Sequence, residues 1–331
     1  MATYRGIKGF NIQTLASDPA ADTNTEGQVW YNTTTNVLKG VKTQIGTGAW
    51  ASGNALPTAR RNQGGIGTQT AALAVMGTPP ASYPGVTTNV ESYDGTNWTG
   101  APSCNTARTN VGTTQIGTQT AGQIQGGYNG GAKSECEQFN GSSWTVKGAL
   151  NTARWTGAGA GTQAAGLYAG GSTGGVTTAH EQWNGTAWSV STGITTSRRY
   201  LAGGGSQTAA LVFGGSPVTG ATESWNGSSW STLNPMSTAR MYLAGICGAT
   251  AQTASLAAGG VVPPNVAVVE LFDGTNWSEQ ADLSSVRGQS SGNSAAPGTS
   301  GVISGGTPYM ANTEEWTIGA DTFAVKTFTS S

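Results

Sequence analysis

A ten-residue phrase written five times constrains this chain more than anything else in it. VESYDGTNWT at 90–99 returns as CEQFNGSSWT, HEQWNGTAWS, TESWNGSSWS and VELFDGTNWS. The tryptophans behind its turn, with one more ahead of the first phrase, are Trp50, Trp98, Trp144, Trp188, Trp230 and Trp277, spaced 48, 46, 44, 42 and 47 residues apart. A triplet eight to ten residues after each of them ends in arginine, giving Arg60, Arg108, Arg154, Arg198, Arg240 and Arg287. A third series holds Gln69, Gln119, Gln163, Gln207 and Gln252, and a fourth is a pair of small residues running from Met76-Gly77 to Gly305-Gly306. Self-similarity at 42–48 residues, in six copies, is the mark of a repeat architecture, in which one small unit buries its apolar face only against the next.

Each copy reads as four short strands: the stretch after the arginine (NQGGIG), an apolar run (TAALAVMG), VESY and NWTG. Asp-Gly or Asn-Gly separates the last two and predicts a type I′ hairpin. No stretch carries a helical period. Four antiparallel strands per 40–50 residues describe a β-propeller blade. The expected fold is therefore all-β, a propeller of seven blades, with six as the alternative if the leading hairpin extends outward. The sixth copy is expected to end on DTFAVKTF (321–328), so QVWYN, VLKGV and GAWAS need a blade of their own. Tyr93, Phe139, Trp183, Trp225, Phe272 and Trp316 alternate with polar neighbours and should face the next blade beside the turn tryptophans.

Charge is scarce. Charged residues make up 9% of 331, with 15 basic and 16 acidic side chains, against roughly 25% in an ordinary soluble domain. That balance argues against nucleic acid, which demands clustered Lys and Arg. No run of eighteen apolar residues predicts membrane insertion, and no apolar leader follows MATYRGIKGFNIQ. The six repeat arginines are matched by Glu91, Glu137, Glu181, Glu223, Glu270 and Glu314 at fixed places. Such regularity predicts Arg–Glu pairs in each blade or junction; an axial ring of the same residues holding a ligand is the alternative.

Catalytic constellations are sparse. One histidine, His180, stands at a repeat position, and Cys104, Cys136 and Cys247 make no metal or redox spacing. The acid pairs Glu135/Glu137 and Glu314/Glu315 read as solvated charge on an edge strand rather than as a glycosidase pair. The expectation is a protein that is not an enzyme and takes no cofactor or metal. What varies between copies is where a binding surface could be written: Arg61, Trp155, Arg199, Tyr200 and Tyr242 just after the repeat arginines, with Tyr83, Tyr128 and Tyr309 in the loops between strands two and three. Exposed aromatics there suit stacking on sugar faces or packing on a neighbouring protein; filling gaps in the ring is the plainer reading.

The double glycine, then an aromatic, then a tryptophan five residues on (Tyr93 to Trp98, Trp183 to Trp188) resemble the kelch motif of β-propellers over about residues 53–331. The GTQTAALxxGG and DGTNW wording is similar to kelch-like repeat proteins encoded by marine bacteriophages, and GQVWYNTTTNVLKG (27–40) looks like a hairpin at the front of phage tail-fibre and virion proteins. The resemblance implies an attachment arm over 1–26, a hairpin or partial blade over 27–52 and six repeats over 53–331. It implies a structural protein of the virion, in a tail fibre or associated with the tail, attached to other virion proteins as a symmetric multimer and engaging a host surface glycan or protein. A capsid decoration protein and a free carbohydrate-binding lectin are the alternatives.

Overall fold

The computed structural model describes residues 12–22, 24–25, 27–44, 48–80, 85–112, 116–293, 299–319 and 322–328. The chain divides into two compact units, one drawn from residues 1–47 and 318–331, the other Gly48–Thr317. Strands are numbered along the chain from β1 to β28, and no α-helix occurs among the described residues. They form seven four-stranded sheets, the number expected, all antiparallel except for one parallel edge pair.

In the first unit the sheet order is β1 (Gln13–Leu15), β2 (Val29–Asn32), β3 (Val37–Gln44) and β28 (Thr322–Thr327). β2 and β3 form the hairpin read from VWYNTTTNVLKG, and β1 adds in parallel. Asp18 ties the segment ahead of the hairpin to it: its carboxylate accepts from Trp30 Nε1 at 3.1 Å and Asn32 Nδ2 at 2.6 Å, and pairs with Lys39 Nζ at 2.7 Å. Residues 13–18 are thus held by the sheet, while residues 1–11 lie outside the described residues.

The second unit holds six blades. Blade one is β5 (Gly64–Thr68), β6 (Ala71–Val75), β7 (Val90–Tyr93) and β8 (Trp98–Ala101). Blade two is β9 (Ile116–Thr118), β10 (Ala121–Gln125), β11 (Cys136–Phe139) and β12 (Trp144–Lys147). Blade three is β13 (Ala158–Gly161), β14 (Gly166–Ala169), β15 (His180–Trp183) and β16 (Trp188–Ser191). Blade four is β17 (Ala202–Gly205), β18 (Ala210–Phe213), β19 (Thr222–Trp225) and β20 (Trp230–Leu233). Blade five is β21 (Ala244–Cys247), β22 (Ser255–Ala258), β23 (Val269–Phe272) and β24 (Trp277–Glu279). Blade six is β25 (Ser291–Asn293), β26 (Ser300–Ser304), β27 (Thr313–Ile318) and, from the other end of the chain, β4 (Gly48–Gly53).

The innermost strands touch in the cycle β5, β9, β13, β17, β21, β25 and back to β5. Of the seven sheets, six close this ring, and the seventh is the sheet of the first unit. Two strand placements differ from the sequence expectation. DTFAVKTF does not end blade six; its strand β28 pairs with β3. GAWAS does not join the leading hairpin; as β4 it is the outer strand of blade six. The reason lies in the period: Trp50 precedes Arg60 by the interval that separates Trp98 from Arg108, so β4 is a fourth strand whose first three lie at the far end of the repeats.

Local chemistry explains the phrase. Tyr93 faces Trp98 across the hairpin, as Phe139 faces Trp144 and Trp183 faces Trp188, with ring centroids 4.8, 5.0 and 5.5 Å apart. The loop between them is four residues long and is not a type I′ turn. Asp94 Oδ1 accepts from the N–H of Thr96 and of Asn97, at 2.8 and 2.7 Å, and only Gly95 takes a positive φ. One side chain closing on two backbone donors needs one left-handed residue instead of two.

Three sets of bonds join the blades. Turn tryptophans reach into the preceding blade: Trp98 Nε1 donates to Thr313 Oγ1 at 2.9 Å and Trp277 Nε1 to Thr222 Oγ1 at 3.0 Å. The glutamine series donates to main-chain carbonyls of the preceding blade, Gln163 to Phe139 at 2.6 Å and Gln207 to Trp183 at 2.6 Å. Gln69 closes the circle with a 3.1 Å bond to the carbonyl of Trp316. The double glycines supply the third set, with Gly171 donating to the Arg198 carbonyl and Gly306 to that of Arg60, both at 2.9 Å. At the axis the inner strands approach so closely that a Cβ on Gly292 would meet the Gly245 carbonyl oxygen at 2.3 Å, which a side chain forbids.

Candidate functional site at the mouth of the ring

The repeat arginines point into the blades. All six are fully buried, and each pairs with the repeat glutamate of its own blade: Arg60–Glu91, Arg108–Glu137, Arg154–Glu181, Arg198–Glu223, Arg240–Glu270 and Arg287–Glu314. The carboxylates do a second job, accepting from loop N–H groups: Asn105 to Glu137 at 2.7 Å, Asn151 to Glu181 at 2.6 Å and Ser237 to Glu270 at 2.7 Å. Burial pushes the Arg60 and Arg240 guanidiniums down to about 10, which leaves them protonated at neutral pH. Burial would raise the Glu181 carboxyl, but the Arg154 charge and the Asn151 donors outweigh it and hold the group below its ordinary value. Glu137 and Glu314 are therefore not solvated charge on an edge strand; they lie on third strands, fully enclosed. Glu315 accepts from the Tyr93 hydroxyl.

Trp98, Trp144, Trp188, Trp230 and Trp277 are buried between blades. His180 packs edge-on to Trp225 at 4.6 Å and Trp230 at 5.5 Å. Its Nδ1 lies 2.9 Å from the Thr192 carbonyl and 3.3 Å from Trp230 Nε1, and can donate to the first or accept from the second, not both. Burial pushes this imidazole down to about 4. Above pH 6.5 it is neutral folded and unfolded, and costs nothing. Below 6.5 only the unfolded chain takes the proton, so stability falls until about pH 4, by about 3 kcal/mol in all. Blades four and six carry Thr222 and Thr313 at this position, accepting from the same tryptophan. His180→Thr is expected to remove that loss, measured as the change in urea midpoint between pH 7 and pH 5; an unchanged slope contradicts it.

In five of the six blades the residue after the repeat arginine, at one mouth of the ring, is bridged to the loop between strands two and three: Arg61 to Thr78, Thr109 to Tyr128, Trp155 to Ser172, Arg199 to Ser216 and Met241 to Val261. The residue after that takes a left-handed backbone in every blade, with φ of 57° at Asn62, 54° at Asn110, 59° at Thr156, 56° at Tyr200, 56° at Tyr242 and 59° at Gln289. Their N–H groups donate head to tail in a closed circuit: Asn62 to Gln289, Gln289 to Tyr242, Tyr242 to Tyr200, Tyr200 to Thr156, Thr156 to Asn110 and Asn110 to Asn62, all 2.8–3.1 Å. Six backbone hydrogen bonds lock the mouth.

The structure brings the variable residues together here. Tyr200 stacks on Tyr242 with centroids 3.7 Å apart, and the Arg199 guanidinium lies 4.9 Å from the Tyr200 ring centre. Arg61 lies 4.7 Å from the Tyr309 ring centre, while Tyr128 and Trp155 meet edge-on at 5.2 Å. Tyr83 lies outside the described residues. Burial, then the Tyr200 hydroxyl, pushes the Tyr242 hydroxyl far up, and the fields of Arg199 and Arg61 oppose this. A small cup of about 10 Å³, enough for about one water, is lined by Asn62, Gln63, Asn110, Thr156, Tyr200 and Tyr242. Asn62, Asn110, Thr156 and Gln289 were missed in the sequence; their only signal is the constant distance of two residues from the repeat arginine.

A wider recess of about 190 Å³ on the opposite side is lined by small residues, among them Gly161, Gly205 and Gly248, together with Cys247. The three cysteines are buried and unpaired, and burial pushes Cys136 and Cys247 up to about 12, far from thiolate chemistry. Among the described residues no three His, Cys, Asp or Glu side chains group as a metal site, and no helix is long and apolar enough to cross a membrane.

A closed ring of four-stranded sheets makes this protein a β-propeller. It is similar to the solved structure titled "Structure of YjhT", with a TM-score of 0.64 and 13% identity over 83% of this chain and 99% of that one, a likeness of fold alone. No protein-family model and no curated protein matches the sequence.

Proposed function

We propose that this protein is a non-enzymatic, kelch-like propeller of a bacteriophage particle, a tail-fibre or tail-associated component that attaches to other virion proteins and engages the host surface through the ring mouth. The observation that carries the binding reading is how the polar groups are divided. The charges at the repeat positions pair with one another inside the blades, while the side chains that vary from blade to blade converge on one mouth. Catalysis has little to work with there: two guanidiniums, phenols, amides and a threonine hydroxyl, with the lone histidine buried elsewhere. The phage assignment rests on the wording of the repeats and of the leading hairpin, to which the structure adds a sheet of its own, distinct as a unit from the propeller.

Mass spectrometry of purified particles, with antibody labelling of this chain, is the test. The expected result is a stoichiometric virion protein with label on the tail. Label on the capsid moves it to decoration, and absence from particles overturns the reading.

A further inference from the structure

Resting on the reading of the mouth as a binding surface, and deepening it, we infer that the mouth takes an uncharged saccharide, whose hydroxyls enter on the side where blades six and one meet. Four buried oxygens there have no hydrogen-bond partner among the described residues: Gln63 Oε1, Gln289 Oε1, Ser290 Oγ and Thr307 Oγ1. The backbone gathers them. Gln63 stands just ahead of β5 in blade one and turns its Nε2 onto blade six, donating to the Ser304 carbonyl at 3.0 Å. Gln289 is the blade-six member of the backbone circuit, and its carbonyl accepts from the N–H of Asn62, the residue before Gln63, at 2.9 Å. Ser290 comes next in the chain, and the Thr307 N–H donates to the Gly288 carbonyl at 2.8 Å.

The repeat itself does not ask for this polarity. The third residue after the repeat arginine is Val111, Leu201 and Leu243 in blades two, four and five, and Gly157 in blade three. Gln63 and Ser290 hold the same place in blades one and six, and both are fully buried. A polar atom enclosed without a partner carries a desolvation cost that a leucine does not. A fold that builds this position from apolar residues elsewhere, and sets glutamine and serine there in two adjoining blades, holds those oxygens ready for a group from outside the chain.

The orphaned atoms select the ligand. Two are amide oxygens, which only accept, and two are hydroxyls, which do either, so the ligand must bring several donors. The cup that Gln63 lines measures about 10 Å³ and admits one oxygen but no ring. The donors are therefore groups that project from a frame resting above it. Ammonium donors are disfavoured. The Arg199 guanidinium lies 4.9 Å from the ring centre of Tyr200, which lines the same cup, and makes no ion pair among the described residues. No Asp or Glu occurs in the mouth segments 60–64, 108–112, 154–158, 198–202, 240–244 and 287–291 to offset it. Neutral hydroxyls on a rigid ring meet these conditions. The stacked pair Tyr200 and Tyr242, with the Asn62 and Asn110 amides and the Thr156 hydroxyl around the cup, matches the apolar face and polar rim of a pyranose.

Isothermal titration of the full chain tests this with maltotetraose, cellotetraose and mannotetraose, and with tetralysine as the cationic comparison. The expected result is binding of at least one sugar with a Kd of about 1 mM or below, unchanged by added salt, and none of tetralysine. Gln63→Met keeps the length of the side chain, and Gln289→Gly suits the left-handed backbone at that position, where φ is 59°. Each removes one orphaned oxygen and should weaken sugar binding about ten-fold, the worth of one good hydrogen bond. Gln289→Gly should do so without lowering the melting temperature. Binding of no sugar, binding that salt weakens, or a preference for tetralysine overturns the inference on the unaltered protein alone, as does full affinity in both folded variants. Presence in particles is measured separately. A chain found in particles that binds no sugar loses this site and keeps the virion reading, and a sugar-binding chain absent from particles does the reverse.

Discussion

Arg154→Met is expected to cost about 3–5 kcal/mol of unfolding free energy, the usual penalty for removing one partner of an enclosed ion pair. The guanidinium binds Glu181 and donates to the carbonyls of Thr152 at 3.1 Å and Tyr168 at 2.9 Å, with its plane 4.8 Å from the Tyr168 ring centre. Methionine fills much of the volume but satisfies none of these acceptors and strands Glu181, 1% exposed, as an enclosed anion. Its remaining donors, Asn151 N–H, Asn151 Nδ2 and Thr152 N–H, keep the cost from rising further. The pH dependence has a definite sign. In the unaltered protein Glu181 is held below its ordinary value, so its contribution is present above about pH 4.5 and disappears as pH falls through the folded value. Without Arg154, burial raises the same carboxyl, so the variant recovers stability on protonation at low pH. The gap between the two proteins, read from urea unfolding, should therefore be widest near pH 7.5 and narrower at pH 5. Because the Arg154 charge also helps to lower the His180 imidazole, the comparison is made in the His180→Thr background, where that titration is absent. A gap under 1 kcal/mol, or one independent of pH, would mean that the repeated pairs are not what holds the connections to the blades.

How legible this was in the sequence depends on which signal each feature leaves. Strand positions were legible because apolar runs, aromatic pairs and Gly-containing turns recur at one period: TAALAV became β6 and VESY became β7. The pairing of Arg154 with Glu181 was legible as a coincidence of rare charges at a fixed interval. Closure was harder, because it joins Gly48–Gly53 to Thr313–Ile318 across almost the whole chain, and a strand of six residues says nothing local about its partner. The ring at the mouth was not legible. Left-handed backbone usually announces itself as glycine, and here it is written as Asn62, Asn110, Thr156, Tyr200, Tyr242 and Gln289, six residues whose shared conformation comes from the tertiary circuit of backbone hydrogen bonds. The contact of Tyr128 with Trp155 was hidden likewise, since one comes from a loop between strands and the other from a connection between blades.

Closure makes the second large effect testable. Trp316 on β27 is wholly buried, and Trp50 of β4 lies against it with centroids 5.2 Å apart while donating to the Ala281 carbonyl of blade five at 3.0 Å. Gly48, the first residue of β4, runs so close beneath the Trp316 ring that a Cβ there would fall 1.7 Å from it. Trp316→Ala is expected to cost about 3–5 kcal/mol through lost burial and the void left behind. Gly48→Val drives two methyl groups into the same ring and should cost about 1–3 kcal/mol as overpacking. The two changes occupy one volume, so they should not add. Valine at 48 enters the space that alanine at 316 vacates, and the double variant should be more stable than Trp316→Ala alone. Urea unfolding of the four proteins, with circular dichroism as the readout, gives the coupling directly. Simple additivity would show that β4 does not lie beside β27 in solution, and the ring would then have to close by another strand.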